Sequence, residues 1–90
     1  MERRRTAIRN RLGLHARPAM TFASTAGGFR CDVRVRRGDD AERVDGKSVM
    51  QMLMLACTHG TEIEIECEGP DEREAMDALM KLIESRFEEE

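Results

Sequence analysis

The chain divides into stretches where every second residue is apolar and stretches where apolar residues recur every three or four positions. Residues 31–36 and 61–67 alternate most clearly, with Cys, Val and Ile on one side and Asp, Arg and Glu on the other. Period-two patterns of this kind indicate half-buried strands. Residues 3–9 alternate more weakly and predict a first strand, while the turn at 38–40 and the segment 42–44 predict a hairpin. We therefore expect four strands.

Three further segments have helical spacing. The first is predicted over residues 16–27, because Pro18 is tolerated near a helix start and a Gly-Gly pair follows residue 26. Its apolar face is expected to hold Ala19, Met20, Phe22, Ala23 and Ala26. Residues 49–56 predict a short, almost wholly apolar helix, and an apolar stripe from residue 75 to 87 predicts a long last helix with Asp71 as its N-cap. Residues 88–90 are expected to be frayed and solvated.

The order strand, helix, strand, strand, helix, strand, helix predicts an α+β fold, with an antiparallel sheet covered on one face by three helices. The strand at 61–67 has a row of glutamates on its polar side, which is unfavourable unless opposite charges lie beside it. Arg5 and Arg9 in the first strand, and Arg34 and Arg36 in the second, supply such charges. We therefore expect the strand at 61–67 to lie between those two strands.

Length and composition exclude several classes of protein. Ninety residues form one domain, residues 1–90. The first 48 residues carry twelve Lys and Arg against six Asp and Glu, whereas the last 42 carry three against twelve. The basic half alone would suit a nucleic acid, but the net charge of −3 and the absence of Trp and Tyr argue against that partner. No apolar run is long enough for a signal peptide or a membrane span, so we expect a cytoplasmic protein.

The three cysteines do not form a recognisable site. Cys31, Cys57 and Cys67 are odd in number and contain no CxxC pair, so buried thiols are expected rather than disulfides. Cys57 and His59 have no second pair of ligands near them, and we expect neither a metal nor a cofactor. His59 receives no role.

The candidate chemistry lies at the start of the first predicted helix. His15 and Arg17 stand two residues apart where free backbone N–H groups and the positive end of the helix dipole favour an anion. Arg17 adds a fork-shaped cation that suits phosphate oxygens. A nucleophilic imidazole beside an anion site is a candidate phosphoryl acceptor. The alternative, a helix-start histidine without chemistry, stays open on spacing alone.

A second helix start follows at Ser48, whose hydroxyl can cap the free N–H groups of the next helix. The helix after it is too short to bury every apolar side chain in so small a domain. Some of Val49, Met50 and Met52 are therefore expected to be exposed, as on a partner surface. The alternatives are that all three belong to the core and that Ser48 is only a cap.

Three pieces of the chain resemble, in order and spacing, the histidine-containing phosphocarrier (HPr) family of the bacterial phosphoenolpyruvate-dependent sugar phosphotransferase system. Residues 13–19, Gly-Leu-His-Ala-Arg-Pro-Ala, resemble its phosphorylation-site motif. Residues 46–50, Gly-Lys-Ser-Val-Met, resemble its regulatory serine motif, and residues 60–63, Gly-Thr-Glu-Ile, its final strand. The resemblance implies an open-faced β-sandwich with strand order β1-β4-β2-β3, numbered along the chain.

The resemblance also implies a function. Enzyme I would pass a phosphoryl group from phosphoenolpyruvate to Nδ1 of His15, Arg17 would stabilise it, and a IIA protein or domain would receive it. We expect partners to contact Ala16, Met20, Val49, Met50 and Met52. Such a chain is a monomeric carrier with a phosphohistidine intermediate rather than a stand-alone enzyme, and it binds no nucleic acid and does not insert into a membrane.

In some bacteria a dedicated kinase phosphorylates the serine of this protein family that Ser48 matches. The resemblance then implies that kinase and a catabolite-control regulator as further partners. Two alternatives follow within the family: a nitrogen-related phosphocarrier and a catabolite-repression module acting through phosphorylated Ser48. From another class, a small hydrolase using His15 as nucleophile is disfavoured, because no general acid is placed near His15 by the sequence.

Overall fold

A computed structural model describes residues 1–89 and contains every predicted strand and helix. The elements are β1 (Glu2–Ala7), α1 (Ala16–Gly27), β2 (Asp32–Arg37), β3 (Val44–Asp45), α2 (Val49–Met54), β4 (Glu62–Glu68) and α3 (Glu72–Glu84), followed by a short turn at Arg86–Glu88. The predicted boundaries of α1 are confirmed. The strands are displaced by one or two residues, and α2 ends two residues earlier than expected.

The four strands form one antiparallel sheet in the order β1-β4-β2-β3, as predicted. The last strand of the chain therefore lies between β1 and β2. Glu64 stands opposite Arg5 of β1 and Arg36 of β2, so opposite charges face each other across both strand pairs, as predicted. The charge argument from the sequence correctly placed β4 inside the sheet.

The arginines that cover the glutamates differ in part from those expected. Glu64 and Glu66 are each only 5% exposed, beneath guanidinium groups on the open face of the sheet. The nearest ion pairs join Glu64 to Arg36 at 2.9 Å and Glu66 to Arg3 at 3.0 Å and to Arg43 at 3.1 Å. The hydrogen bond from Arg36 is the main reason why the pKa of Glu64 lies below its usual value.

Two of the expected arginines take no part in this cover. Arg9 lies beyond the end of β1, and Arg34 has Asp32 as its nearest carboxylate partner, at 3.9 Å. The prediction was therefore wrong for Arg9. Arg34 stands opposite Glu66 of β4, as predicted, but its ion pair is with Asp32. Arg3 and Arg43 cover Glu66 instead, because Arg3 stands opposite it in β1 and Arg43 reaches it from the segment just before β3.

The helices cover the other face of the sheet and enclose an aliphatic core. The side chains that pack there include Ile8, Phe22, Met52, Ile63, Ile65, Met76, Leu79 and Ile83. The three cysteines are also buried, as expected, and burial raises the pKa of Cys67 to about 12. Within residues 1–89 no helix is long and apolar enough to cross a membrane, and no cluster of three or more potential metal ligands is found.

The expected N-cap of α3 works differently. Asp71 occupies the N-cap position, but its side chain makes no hydrogen bond to its own helix. Its carboxylate accepts instead from the backbone N–H groups of Arg30 at 2.8 Å and Cys31 at 2.9 Å, which hold its pKa below the usual value. Asp71 therefore ties the start of α3 to the turn between α1 and β2.

Candidate functional site

The backbone before His15 is held against the loop that follows α2. Gly13 has a φ of +72°, and a Cβ at this position would lie 2.6 Å from the carbonyl oxygen of Cys57. The N–H of Leu14 donates to that same oxygen at 2.9 Å, and the Leu14 side chain is buried. Only glycine fits this close, left-handed turn at residue 13. Gly13 therefore determines the position of the start of α1 relative to the loop that follows α2.

His15 is the N-cap residue of α1, with the extended backbone typical of that position (φ −79°, ψ −172°). Its carbonyl accepts the N–H of Ala19 at 3.0 Å, but its side chain makes no hydrogen bond to the helix. The N–H groups of the first turn are therefore not capped by the residue that begins the helix. Arg17 is exposed in that turn. This helix start therefore has the geometry that an anion site would need, and anion binding at His15 and Arg17 stays a prediction.

The imidazole of His15 turns instead toward the end of the chain. Its Nε2 lies 2.9 Å from Oε1 of Glu89, and the amide of Asn10, which is fully buried, donates to the same oxygen at 2.9 Å. These two hydrogen bonds hold the pKa of Glu89 below its usual value. The expectation of a solvated tail was therefore wrong for Glu89, whereas Glu90 lies outside the described residues.

A left-handed turn brings Glu89 to this position. Arg86, Phe87 and Glu88 have φ values of 58°, 55° and 58°, a conformation that costs about 1–2 kcal/mol for each L-residue. Phe87 is 6% exposed and packs into the core. The N–H of Glu88 donates to Ser85 O, and that of Glu89 to Arg86 O, both at 3.0 Å. Burial of the phenyl ring and the contacts of Glu89 offset the strain.

Ser48 forms the cap that the sequence predicted. It is the N-cap residue of α2, and its Oγ accepts the N–H of Gln51 at 3.2 Å. The Gln51 side chain reaches back and accepts the N–H of Asp45 at 2.8 Å. Asp45 in turn accepts the N–H of Lys47 at 2.9 Å. One N–H of the first turn of α2 is therefore capped by Ser48, and neighbouring residues complete a local set of hydrogen bonds around it.

The predicted partner residues fall into two groups. Met20 and Met50 are 58% and 73% exposed, Ala16 is exposed and Val49 is half-buried. Met52 is completely buried, so its predicted contact with partners was wrong. The exposure of Met20 also shows that its predicted place on the buried apolar face of α1 was wrong.

The apolar surface is broader than predicted. Leu53 and Met54 of α2 are exposed, as is Leu12 in the loop that leads to His15. Since α1 packs against α2, the exposed methionines of the two helices lie on adjoining elements. We call the residues Leu12, Ala16, Met20, Val49, Met50, Leu53 and Met54 the apolar patch. Arg17 and His15 belong to the same helix start as Ala16.

Comparison with known proteins gives consistent matches. The family model described as the PTS HPr component phosphorylation site matches residues 2–85. Phosphocarrier protein HPr of Pseudomonas aeruginosa is 49% identical over 82 residues, 91% of this chain and 90% of the relative. Phosphocarrier protein NPr of Proteus mirabilis is 46% identical over 87 residues, 97% of this chain and 96% of the relative. Among solved structures, HPr-C-His of Thermoanaerobacter tengcongensis has a TM-score of 0.92 and 41% identity, covering 100% and 99% of the two chains.

Proposed function

Since the chain belongs to the HPr family of the phosphotransferase system, we propose that His15 accepts the phosphoryl group through Nδ1 and that Arg17 stabilises it. The protein is a phosphocarrier of that system, with the open-faced sandwich fold of its relatives. The residues that carry the group are the part of the function that an experiment must establish.

One observation carries the assignment of His15. Its side chain stands at the N-terminus of a twelve-residue helix but does not cap it. The N–H groups of the first turn and the exposed Arg17 can therefore donate hydrogen bonds to the oxygens of a phosphoryl group. These hydrogen bonds and charge contacts stabilise the phosphoryl group on His15 without adding a second covalent bond. The group can therefore be passed on, as a carrier requires.

The partners follow from family membership. Interaction with Enzyme I and with IIA components is implied by the family, and we propose that both dock on the apolar patch. The patch adjoins His15 through Ala16 and Leu12, so a partner seated there would bring its own phosphoryl-bearing group to the imidazole. Long, adaptable methionine side chains suit a surface that must accept more than one partner.

The decisive experiment supplies phosphoenolpyruvate carrying a labelled phosphoryl group together with purified Enzyme I. We expect acid-labile label on the wild-type protein and none on His15→Ala. Retained label in the variant would contradict the assignment of His15. A folded His15→Ala protein, shown by an unchanged circular dichroism spectrum, is the necessary control.

The nitrogen-related branch is the second candidate, because relatives named phosphocarrier protein NPr match over nearly the whole chain. Parallel reactions with the Enzyme I of the sugar branch and that of the nitrogen branch separate the two. The faster donor at equal concentration identifies the branch, and equal rates would leave the chain serving both.

We further propose that Ser48 is a regulatory phosphorylation site read by an HPr kinase/phosphorylase and a catabolite-control regulator, and that the carrier is a cytoplasmic monomer. A dimeric HPr of Thermoanaerobacter tengcongensis has a TM-score of 0.74 with this chain, so the oligomeric state calls for a direct mass measurement. Incubation with ATP and the kinase tests Ser48, with Ser48→Ala as the control that should remain unlabelled.

A further inference from the structure

We propose that Glu89 is a positioning residue for His15: its carboxylate holds the ring proton on Nε2 and so keeps the lone pair on Nδ1. The inference rests on the proposed function of His15 as the phosphoryl acceptor. It adds a residue near the end of the chain, brought back to the start of α1 by the left-handed turn.

The hydrogen bonds around Glu89 determine where the proton is. Oε1 of Glu89 lies 2.9 Å from Nε2 of His15. An ionised carboxylate only accepts hydrogen bonds, so Nε2 must be the donor. A neutral imidazole carries one N–H, which leaves Nδ1 with the free electron pair that a nucleophile needs. The lowered pKa of Glu89 supports its ionised form at neutral pH.

Asn10 fixes the carboxylate in turn. Its amide faces the carbonyl oxygen of Gly13 and Oε1 of Glu89 at once, and because both are acceptors the amide must present its NH₂ group to them. Asn10 is fully buried and cannot swing away into solvent. The chain of contacts therefore runs from the Gly13 turn through Asn10 and Glu89 to the imidazole.

The left-handed turn indicates that this contact is built into the fold. Three consecutive L-residues adopt φ values near +57° only where their surroundings determine the conformation. Phe87 anchors the turn in the core, and the direction in which the chain leaves Phe87 brings Glu89 against His15. A regular continuation of α3 would not reverse the chain in this way.

The proposed role matters most during transfer. The lone pair of Nδ1 forms a bond to phosphorus while the bond from phosphorus to the donor group on Enzyme I breaks, and that electron pair stays on the donor. The ring keeps its Nε2–H and becomes positively charged. Glu89, on the Nε2 side of the ring, stabilises this charge and leaves the Nδ1 side open to the phosphoryl group.

The test compares Glu89→Gln with Glu88→Gln, a matched control in the same turn that removes the same charge from an exposed side chain. Single-turnover transfer from phosphorylated Enzyme I is followed over a range of carrier concentrations. We expect the limiting rate of Glu89→Gln to fall about tenfold, the usual effect of losing one charged hydrogen bond. The half-saturating concentration should not change, because Glu89 lies outside the apolar patch. Glu88→Gln should stay within about twofold of wild type.

A second measurement locates the imidazole proton of His15. If Glu89 had only a structural role, replacing it would not change which ring nitrogen carries that proton. Nitrogen-15 NMR of the neutral imidazole should find the proton on Nε2 in the wild type and a measurable Nδ1–H population in Glu89→Ala. The charged groups to be considered around the ring are Glu89 from the C-terminal turn and Arg17 from α1, whose charge also acts on Glu89. Backbone amide spectra confirm that both proteins are folded.

Equal limiting rates for Glu89→Gln and Glu88→Gln, or an unchanged proton position in Glu89→Ala, would overturn the role of Glu89. Either result would leave the proposed function intact as long as wild-type protein takes label on His15. If His15→Ala is labelled as well as wild type, the proposed function fails, and the inference on Glu89 fails with it.

Discussion

His15 and Ser48 both stand at the N-cap of a helix, and each follows a glycine two residues earlier, yet their side chains point to opposite uses. The Ser48 hydroxyl turns inward and accepts an N–H of its own helix. The His15 ring turns outward to Glu89, a residue 74 positions away, and leaves its helix uncapped. Similar local geometry thus produces a closed helix start in one place and an open one in the other.

The difference lies in what each side chain can reach. A serine oxygen is close enough to the backbone to cap, and Gln51 and Asp45 complete a local ring of hydrogen bonds around it. The imidazole of His15 makes no hydrogen bond to its own helix. It contacts instead the carboxylate of Glu89, which the tertiary structure brings to it. An anion is therefore expected at His15 without loss of an existing cap, whereas at Ser48 it must replace one.

The largest expected contrast is chemical. His15→Ala should abolish labelling by phosphoenolpyruvate and Enzyme I, while Ser48→Ala should be labelled at a rate within about twofold of wild type, because the Ser48 hydroxyl serves only its own helix in the unmodified chain. Both proteins are assayed side by side by acid-labile phosphate. Loss of labelling in Ser48→Ala, with its fold intact, would show that the two helix starts are not independent.

The two glycines provide the next contrast. Gly13→Ala should lower the free energy of unfolding by about 2–5 kcal/mol, because it adds a left-handed penalty of about 1–2 kcal/mol to overpacking of about 1–3 kcal/mol. Gly46→Ala has no such penalty, and its Cβ would meet the side chains of Val33 and Phe22, so about 1–3 kcal/mol is expected. Urea denaturation measures both. A larger loss for Gly46→Ala would reverse this ranking.

Removal of the cap itself should have a smaller effect. Ser48→Ala should lower the free energy of unfolding by about 1 kcal/mol, the usual value of an N-cap hydroxyl. Ser24→Ala, an exposed position inside α1, serves as the control and should change stability by less than about 0.5 kcal/mol. If the two variants are equally stable, the bond from Gln51 to Ser48 contributes nothing measurable, and the contrast with His15 loses its energetic basis.

A negative charge at Ser48 should slow phosphorylation of His15 mainly by weakening the binding of Enzyme I. Ser48→Asp places a carboxylate beside Val49 and Met50 of the apolar patch, so we expect Enzyme I to phosphorylate His15 several-fold more slowly, mainly through weaker association. Stopped transfer at several Enzyme I concentrations separates association from the chemical step. Unchanged kinetics would mean that Enzyme I does not approach this end of α2.

The smallest effect is local and depends on pH. Because the pKa of Glu89 is lowered in the folded protein, its contribution to stability is present above the ordinary glutamate value of about 4.3 and is lost as the pH falls through the lower, folded value. Amide NMR shifts of residues 86–89 should move over that range. The Gln51 amide, bonded to a hydroxyl that does not titrate, should move less. Parallel shifts at both places would indicate general unfolding instead.

Much of the fold follows from local patterns in the sequence. Alternation and helical spacing identified each strand and helix, and the glutamates of β4 placed that strand inside the sheet. The motif around His15 identified the helix start correctly. The burial of Met52 beside the exposed Met54 could not be predicted, because a short helix of apolar residues has no polar side to mark its outer face.

The parts that could not be predicted depend on contacts between distant residues. Glu89 belongs to a run of acidic residues without periodicity, and only the burial of Phe87 in a left-handed turn brings it to His15. Asp71 looked like an N-cap, yet it binds backbone N–H groups about 40 positions earlier in the chain. The one available signal was Phe87, a large apolar residue just before the charged tail.

The central position of β4 has a consequence for how the chain is made. Residues 62–68 leave the ribosome after both strands that must flank them, so the sheet cannot close until β4 has emerged. Until then, Arg3 and Arg5 of β1 and Arg36 of β2 lack the glutamates that they will cover. Like charges on adjacent strands disfavour pairing, so the waiting arginines are expected to keep β1 from joining β2 directly. We therefore expect β1 and β2 to remain unpaired with each other until β4 is available to lie between them.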